Sequence, residues 1–314
     1  KNPASSPDPE IDKRDEQKSL RKSMHGAPLW ARFITVAAGP LFNFIFSGLI
    51  FFLIFMDQGM TKLPLTVDKT FDTPYEQKFE KGDVVRSVNG LKINNDLKKL
   101  NDQLGGVFAN KPLTYVVERN GILITLENII QNPPRISQVL PKSSAISAGL
   151  EKGDLILSLN SREIKNFNEI KDFVEASQGE GFIVEYWREG LVYETRLTPQ
   201  IVDVPIETGG FERIYRVGIV SDYFPFQPAM TKQSISWAFL SSIKSIYLIM
   251  DGSVKGLYHI VFGNISSCNL SGPISIAETS GQMVKQGSLN YLWFIAVLST
   301  AIGMINLFPI PVLD

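Results

Sequence analysis

The chain has 314 residues and a formal net charge of -1, with 31 Lys and Arg against 32 Asp and Glu. That length leaves room for more than one domain, and the neutral balance excludes the basic footprint of a nucleic-acid-binding protein. A hydrophobic share of 44% lies within the soluble range, so it is the clustering of the apolar residues into two long runs that points to a membrane.

Residues 1–32 are polar, mixed in sign and dotted with proline at the start, and they read as a loop. An acidic, proline-bearing lead is the wrong shape for the first part of a signal peptide. Basic residues up to Arg32, next to the apolar run, place this side in the cytoplasm. Residues 33–56 then carry no charge over 24 positions, about 36 Å as helix and enough to span. Within them Ala37, Ala38, Gly39, Ser47 and Gly48 are small positions where another helix can press close, while Asn43 sets an amide at membrane depth. Asn43 is either packing glue or a neighbour of a functional site.

From Asp57 to about Ile235 the composition turns soluble, and a repeat appears at an offset of 71 residues. Phe79-Glu-Lys-Gly-Asp83 through Asn89-Gly90 aligns with Leu150-Glu-Lys-Gly-Asp154 through Asn160-Ser161. Two copies of one module follow from this, over residues 62–130 and 131–200. In each, Gly-Asp turns the chain, an alternating strand follows, and Asn-Gly or Asn-Ser reverses it as a hairpin. Helices are expected over 96–104 and 168–176, and paired strands over 114–119 with 122–126 and 182–188 with 192–197.

Residues 201–288 read as a connector. Proline and glycine punctuate it up to Pro228, with a strand-like Tyr215 to Val220, and from Ile235 apolar residues recur in steps of three and four with Lys232, Lys244 and Lys255 on other faces. That pattern is an amphipathic helix, either lying in the membrane interface or docked on the helical core, with Asp251-Gly252 as a point where it can break. Gly272-Pro273 reads as a turn. Cys268 is the single cysteine, which excludes an intrachain disulfide and suits a small apolar filler. His25 and His259 are far apart, so the chain contains no H-E-x-x-H, and each reads as a surface or interface residue. The Asn264 and Asn269 acceptor patterns carry little weight.

Residues 289–314 form the second long apolar run, uncharged until it ends on Asp314. An ionised carboxylate at mid-membrane costs about 2.5 to 3.5 kcal/mol, which marks Asp314 as a functional candidate in need of a partner. Pro309 and Pro311 remove donors and disfavour helix for Phe308 and Ile310, so the run enters as helix and straightens near its end. An extended stretch there can pair by backbone with an opened substrate helix, with Asn306 as a side-chain clamp.

Asn306-Leu-Phe-Pro309-Ile-Pro311-Val-Leu-Asp314 resembles the N-x-x-P-x-P-x-L-D segment of the site-2 proteases, the family of intramembrane zinc metalloproteases. Ala38-Gly39-Pro40-Leu-Phe-Asn43 is similar to that family's A-G-P-x-x-N helix, and Asn269 to Ala277 to a third stretch. Ser144-Ala-Ile-Ser-Ala-Gly149-Leu-Glu-Lys-Gly-Asp154 resembles the bacterial-protease type of PDZ domain. The first copy departs from it, with Gln77-Lys78-Phe79 where the second has Ala148-Gly149-Leu150. The resemblance implies a membrane protein with an α-helical transmembrane core and two α+β PDZ domains inserted in tandem. It implies Zn2+ held by Asp314 together with an H-E-x-x-H upstream of Lys1, without which the chain as given hydrolyses nothing. Asn43, Asn306, Pro309 and Pro311 would position substrate, and Gly39 would serve helix packing. The expected substrate is a single-pass membrane protein such as an anti-sigma factor, with peptide C-termini at the PDZ grooves or those modules acting as a screen. The expected place is the bacterial inner membrane, multi-pass, with the PDZ domains periplasmic. A membrane-anchored tandem PDZ adaptor without metal stays open beside this reading.

Overall fold

The computed structural model describes residues 28–93, 112–130, 132–206, 211–262 and 272–307. The uncharged run forms α1 (Leu29–Gln58), longer than its apolar stretch at both ends, with Pro40 inside it. A short strand, β1 (Met60–Thr61), leads out of it into the first module.

That module consists of β2 (Val67–Thr70), β3 (Val84–Val88), β4 (Leu91–Lys92), β5 (Leu113–Arg119) and β6 (Ile122–Ile129), with an antiparallel sheet in the order β4-β3-β5-β6. Strand β5 shows the two-residue period of a pleated strand over a core: Leu113, Tyr115 and Val117 are all fully buried. The helix expected over 96–104 lies outside the described residues. The second module has β7 (Ile136–Val139), a helical turn α2 (Ser144–Ser147), β8 (Leu155–Leu159), β9 (Arg162–Glu163), α3 (Phe167–Ala176), β10 (Phe182–Arg188) and β11 (Leu191–Leu197). Its sheet order, β9-β8-β10-β11, repeats that of the first. Asn166 starts α3 by accepting the Glu169 N–H at 3.1 Å, and Ile170 and Val174 face the core.

The repeated Gly-Asp has a physical purpose in both copies. Asp83 is fully buried, accepts the Glu80 N–H at 2.9 Å and takes a fork of bonds at 2.7 and 2.8 Å from Arg119. Asp154 accepts the Glu151 N–H at 2.8 Å and a matching fork at 2.6 and 2.7 Å from Arg188. A buried carboxylate is tolerated when bonded in this way, and each pair ties the turn to the end of the neighbouring inner strand, β5 or β10. The bonds that the arginines donate to Asp83 and Asp154 also hold the two guanidinium pKa values above the ordinary arginine range. The repeated Asn is equally specific. Asn89 and Asn160 sit at φ of 49° and 45°, and their side chains accept the N–H groups of Thr114 and Ile183 at 2.7 and 2.9 Å.

Much of the stretch expected as connector is built of strands. β12 (Gln200–Pro205) and β13 (Phe211–Arg216) form a hairpin arm. Beyond it β14 (Ile219–Ser221) pairs with β7, β15 (Phe226–Pro228) pairs with β2, and β16 (Met230–Thr231) pairs with β1. The chain thus runs back along both modules in reverse order as a strap. The reason is burial: Val217 completes the core of the second module and Phe226 that of the first, so these residues cannot be left in a solvated linker.

The last three elements are α4 (Ile235–Val261), α5 (Pro273–Lys285) and α6 (Ser288–Leu307). Ser234 caps α4 by accepting the Trp237 N–H at 3.2 Å. The helix continues through Asp251-Gly252, contrary to the expected break, because one interior glycine costs about 1 kcal/mol and Lys255 bonds Asp251 one turn away at 2.7 Å. Gly272-Pro273 is likewise no free turn: Gly272 caps α5 and Pro273 occupies its first turn, where a missing donor is harmless. Among the described residues two helices are long and apolar enough to cross a membrane, Phe33–Gln58 in α1 and Ser288–Leu307 in α6.

Candidate functional site

The two candidate spans pack antiparallel, and small polar side chains do the joining. At one level Ser47 donates to the Ala296 carbonyl at 2.8 Å and shares a 2.6 Å bond with Thr300, both groups wholly shielded. Further along, Ser299 donates to the Asn43 carbonyl at 3.0 Å. Between apolar helices such bonds and close backbone approach replace the hydrophobic drive that lipid removes. Beyond them Phe51 and Phe55 of α1 meet Trp293 of α6 edge-on at 4.9 and 6.2 Å, and Trp237 of α4 closes on Phe55 at 5.8 Å. The cluster fixes α4 against the pair.

The tightest approach is at Gly303. A methyl group there would lie 3.1 Å from the Asn43 Cβ, 3.2 Å from the Pro40 carbonyl oxygen and 3.3 Å from the Phe44 ring. Gly303 therefore lets α6 lie directly on the A-G-P-x-x-N stretch of α1. The small residues of α1 signal close helix packing, and Gly303 of α6 supplies the facing small position. Around Gly39, by contrast, no described atom lies within 4 Å of the place a Cβ would take, so the packing role expected of Gly39 has no counterpart among the described residues. The close contacts within α1 lie at Asn43 and at Gly48, where Ile246 of α4 comes to 3.4 Å.

Asn43 is half-buried in the α1–α6 seam, and Asn306 is exposed one turn past Gly303 at the end of α6. Pro309, Pro311 and Asp314 lie outside the described residues, as do His25 and Cys268. His259 stands in α4, with its ring 4.9 Å from that of Phe211 in the arm. Among the described residues no group of three or more His, Cys, Asp or Glu side chains could hold a metal ion. The described residues thus do not themselves fit a zinc centre, and no catalytic step is assigned to them. What they supply is placement: a seam locked at Asn43 and Gly303, from which the chain leaves toward Pro309 and Asp314.

A pair of helices long and apolar enough to cross a membrane, with strand modules threaded between them, is the frame of a membrane-embedded protein. The profile of peptidase family M50 matches residues 8–314, and the chain belongs to that family, the zinc metalloproteases of site-2 type. The regulator of sigma-E protease RseP of Salmonella typhimurium is 26% identical over 324 residues, covering 94% of this chain and 70% of that protein. RseP of Escherichia coli is 26% identical over 313 residues, 89% of this chain and 67% of its own length. A protein of Mesorhizobium japonicum named as a zinc metalloprotease is 22% identical over 96% of this chain and 62% of itself. Among solved structures, the PDZ domain of an SdrC-like protein from Listeria monocytogenes covers 31% of this chain and 93% of its own at 16% identity, with a TM-score of 0.25.

Proposed function

We propose that this zinc metalloprotease cleaves the transmembrane segments of single-pass membrane proteins, an anti-sigma factor of an envelope stress response being the expected kind of substrate. Asp314 would be one zinc ligand, and Asn43, Asn306, Pro309 and Pro311 would hold the opened substrate backbone beside it. The observation that carries this reading is the seam at Gly303, which presses α6 onto Asn43 one turn before Asn306, where the N-x-x-P-x-P-x-L-D segment begins. A helix shields its own peptide bonds, so a stretch freed of helix by two prolines offers backbone groups to which an unwound substrate can bond. The test is zinc analysis and cleavage of the full-length protein. Asp314→Asn should lose bound zinc, and Asn306→Ala should keep its zinc while cleaving a membrane substrate more slowly. Unchanged zinc in the first would remove Asp314 from the ligand set, and a normal rate in the second would dismiss the clamp.

The two strand modules are proposed to be tandem PDZ domains, periplasmic in a bacterial inner membrane. In the second, β14 bonds to β7 on one side, and Ile219 joins the same core as Ile170 and Val174 of α3. A strand edge beside a helix is the setting in which an extended peptide adds as a further strand. Over the first module, where Gln77-Lys78-Phe79 replaces Ala148-Gly149-Leu150, a screening role is the better reading.

A further inference from the structure

The second module touches α5 at one bonded point, where the Lys142 N–H donates to the Gln282 side-chain oxygen at 2.9 Å. Beside that bond the two surfaces part around a cavity of about 720 Å³. Its floor is apolar, made by Val139, Ile146 and Leu150 of the module, and its rim carries Lys152 from the module and Lys285 from the last turn of α5. Neither lysine has an ion-pair partner among the described residues, and the carboxylate on the rim, Glu151, is engaged by Arg188 at 3.6 Å. The wall is therefore net positive. Gln286 also borders the cavity, and the oxygen and nitrogen of its carboxamide are both shielded and without a hydrogen-bond partner among the described residues. Shielded polar groups are nearly always bonded, so an unmet pair at a cavity wall favours a polar ligand atom that one side-chain rotation can reach.

The level of the cavity is set by the helix that follows. Only Gln286 and Gly287 separate Lys285 from the candidate span that begins at Ser288. In the first turns of that span Leu289 and Trp293 pack with Phe51 and Phe55 near the end of α1, from which the modules emerge. Lys285 thus stands at the module side of the apolar stretch, where the headgroups of a bilayer lie. We propose that the cavity binds the headgroup of an anionic phospholipid. Lys152 and Lys285 take the phosphate from opposite walls, Gln286 bonds the polar end of the headgroup, and the acyl chains run beside α6 into the bilayer. Basic pockets next to spanning helices hold anionic headgroups by this combination of charge and fit, and the volume suits a whole headgroup better than a bare phosphate. The bound lipid would bridge the second module to α6. The proposal rests on the reading that α6 crosses the bilayer.

The test compares hydrogen exchange of the full protein in phosphatidylcholine vesicles with and without phosphatidylglycerol, followed over residues 142–152 and 282–287. Phosphatidylglycerol should slow exchange in both stretches, and the gain should shrink as salt is raised. Lys152→Gln together with Lys285→Gln should erase the difference between the vesicles, while Lys171→Gln, at an exposed position of α3, should keep it. Equal exchange in both vesicles, or a lipid effect that survives the double change, overturns the proposal. Inorganic phosphate that protects as well in phosphatidylcholine alone would make this an anion site without lipid preference, which also overturns it. Protection by a soluble acidic peptide and none by phosphatidylglycerol would assign the cavity to a protein partner instead. An alkaline carbonate wash separates the two readings. Protein retained in the vesicles but blind to phosphatidylglycerol removes the lipid site and leaves α6 spanning, whereas protein washed off both removes the span and the site with it.

Discussion

The two modules share a sheet order, an Asp–Arg staple and an Asn turn, yet they close over the strap by different means. In the second, the helical turn α2 stands against the strap so tightly that Gly218, at φ of 80°, could carry no side chain: a Cβ would meet the Ser143 Cβ at 2.1 Å. Backbone bonds seal the contact, from the Leu140 N–H to the Gly218 carbonyl at 2.7 Å and from the Ala145 N–H to the Val217 carbonyl at 3.0 Å. The first module has no helical turn in the corresponding place, and rings take over. Phe79, where the second copy has Leu150, meets Tyr115 edge-on at 5.3 Å and Phe226 of the strap at 4.8 Å. One scaffold thus tolerates two ways of anchoring the same strap, close backbone approach in one and an aromatic plug in the other. The departure at Gln77-Lys78-Phe79 is the trace of the exchange.

The comparison predicts first that the staple is shared. Asp83→Ala or Asp154→Ala breaks a buried ion pair and should cost its own module about 3 kcal/mol, the lower end for such pairs because the arginines keep some contact with water. Hydrogen exchange on the full protein, followed module by module, should show protection lost around the changed residue. Equal loss in both modules from one substitution would mean they unfold as one unit. The next effect should divide them. Gly218→Ala forces a clash and strains a left-handed position, at about 2 to 3 kcal/mol, and should free β14 from β7. It should leave the pairing of β15 with β2 protected, and loss of that pairing too would show that the strap acts as a single cooperative element.

The smallest effect is alkaline. Burial pushes the Tyr115 hydroxyl well above the ordinary tyrosine range, so the folded first module keeps a proton that the unfolded chain loses. Its contribution is intact below pH of about 10 and is lost as pH rises past that value. The matching Tyr186 is also raised by burial, but the Arg188 guanidinium, 5.1 Å from its ring, acts in the opposite sense. The first module should therefore lose exchange protection before the second in an alkaline series. The reverse order would show that Tyr115 is better hydrated than its packing implies.

The sequence was enough for whatever depends on local spacing. The two apolar runs, the 71-residue repeat, the Asn turns and the helix over 168–176 follow from residue type and interval, because spans, hairpins and helical faces are set by neighbours a few positions apart. The family motifs were legible for the same reason. Only the tertiary structure decided where the residues after Pro199 belong, since a strand's partner can lie far along the chain: β15 returns to β2 across more than a whole module. It also decided which glycine joins the spanning helices. Gly39 and Gly303 look alike in sequence, and the angle at which α6 crosses α1, which no local pattern encodes, brings backbone to Gly303 and leaves the space at Gly39 open among the described residues.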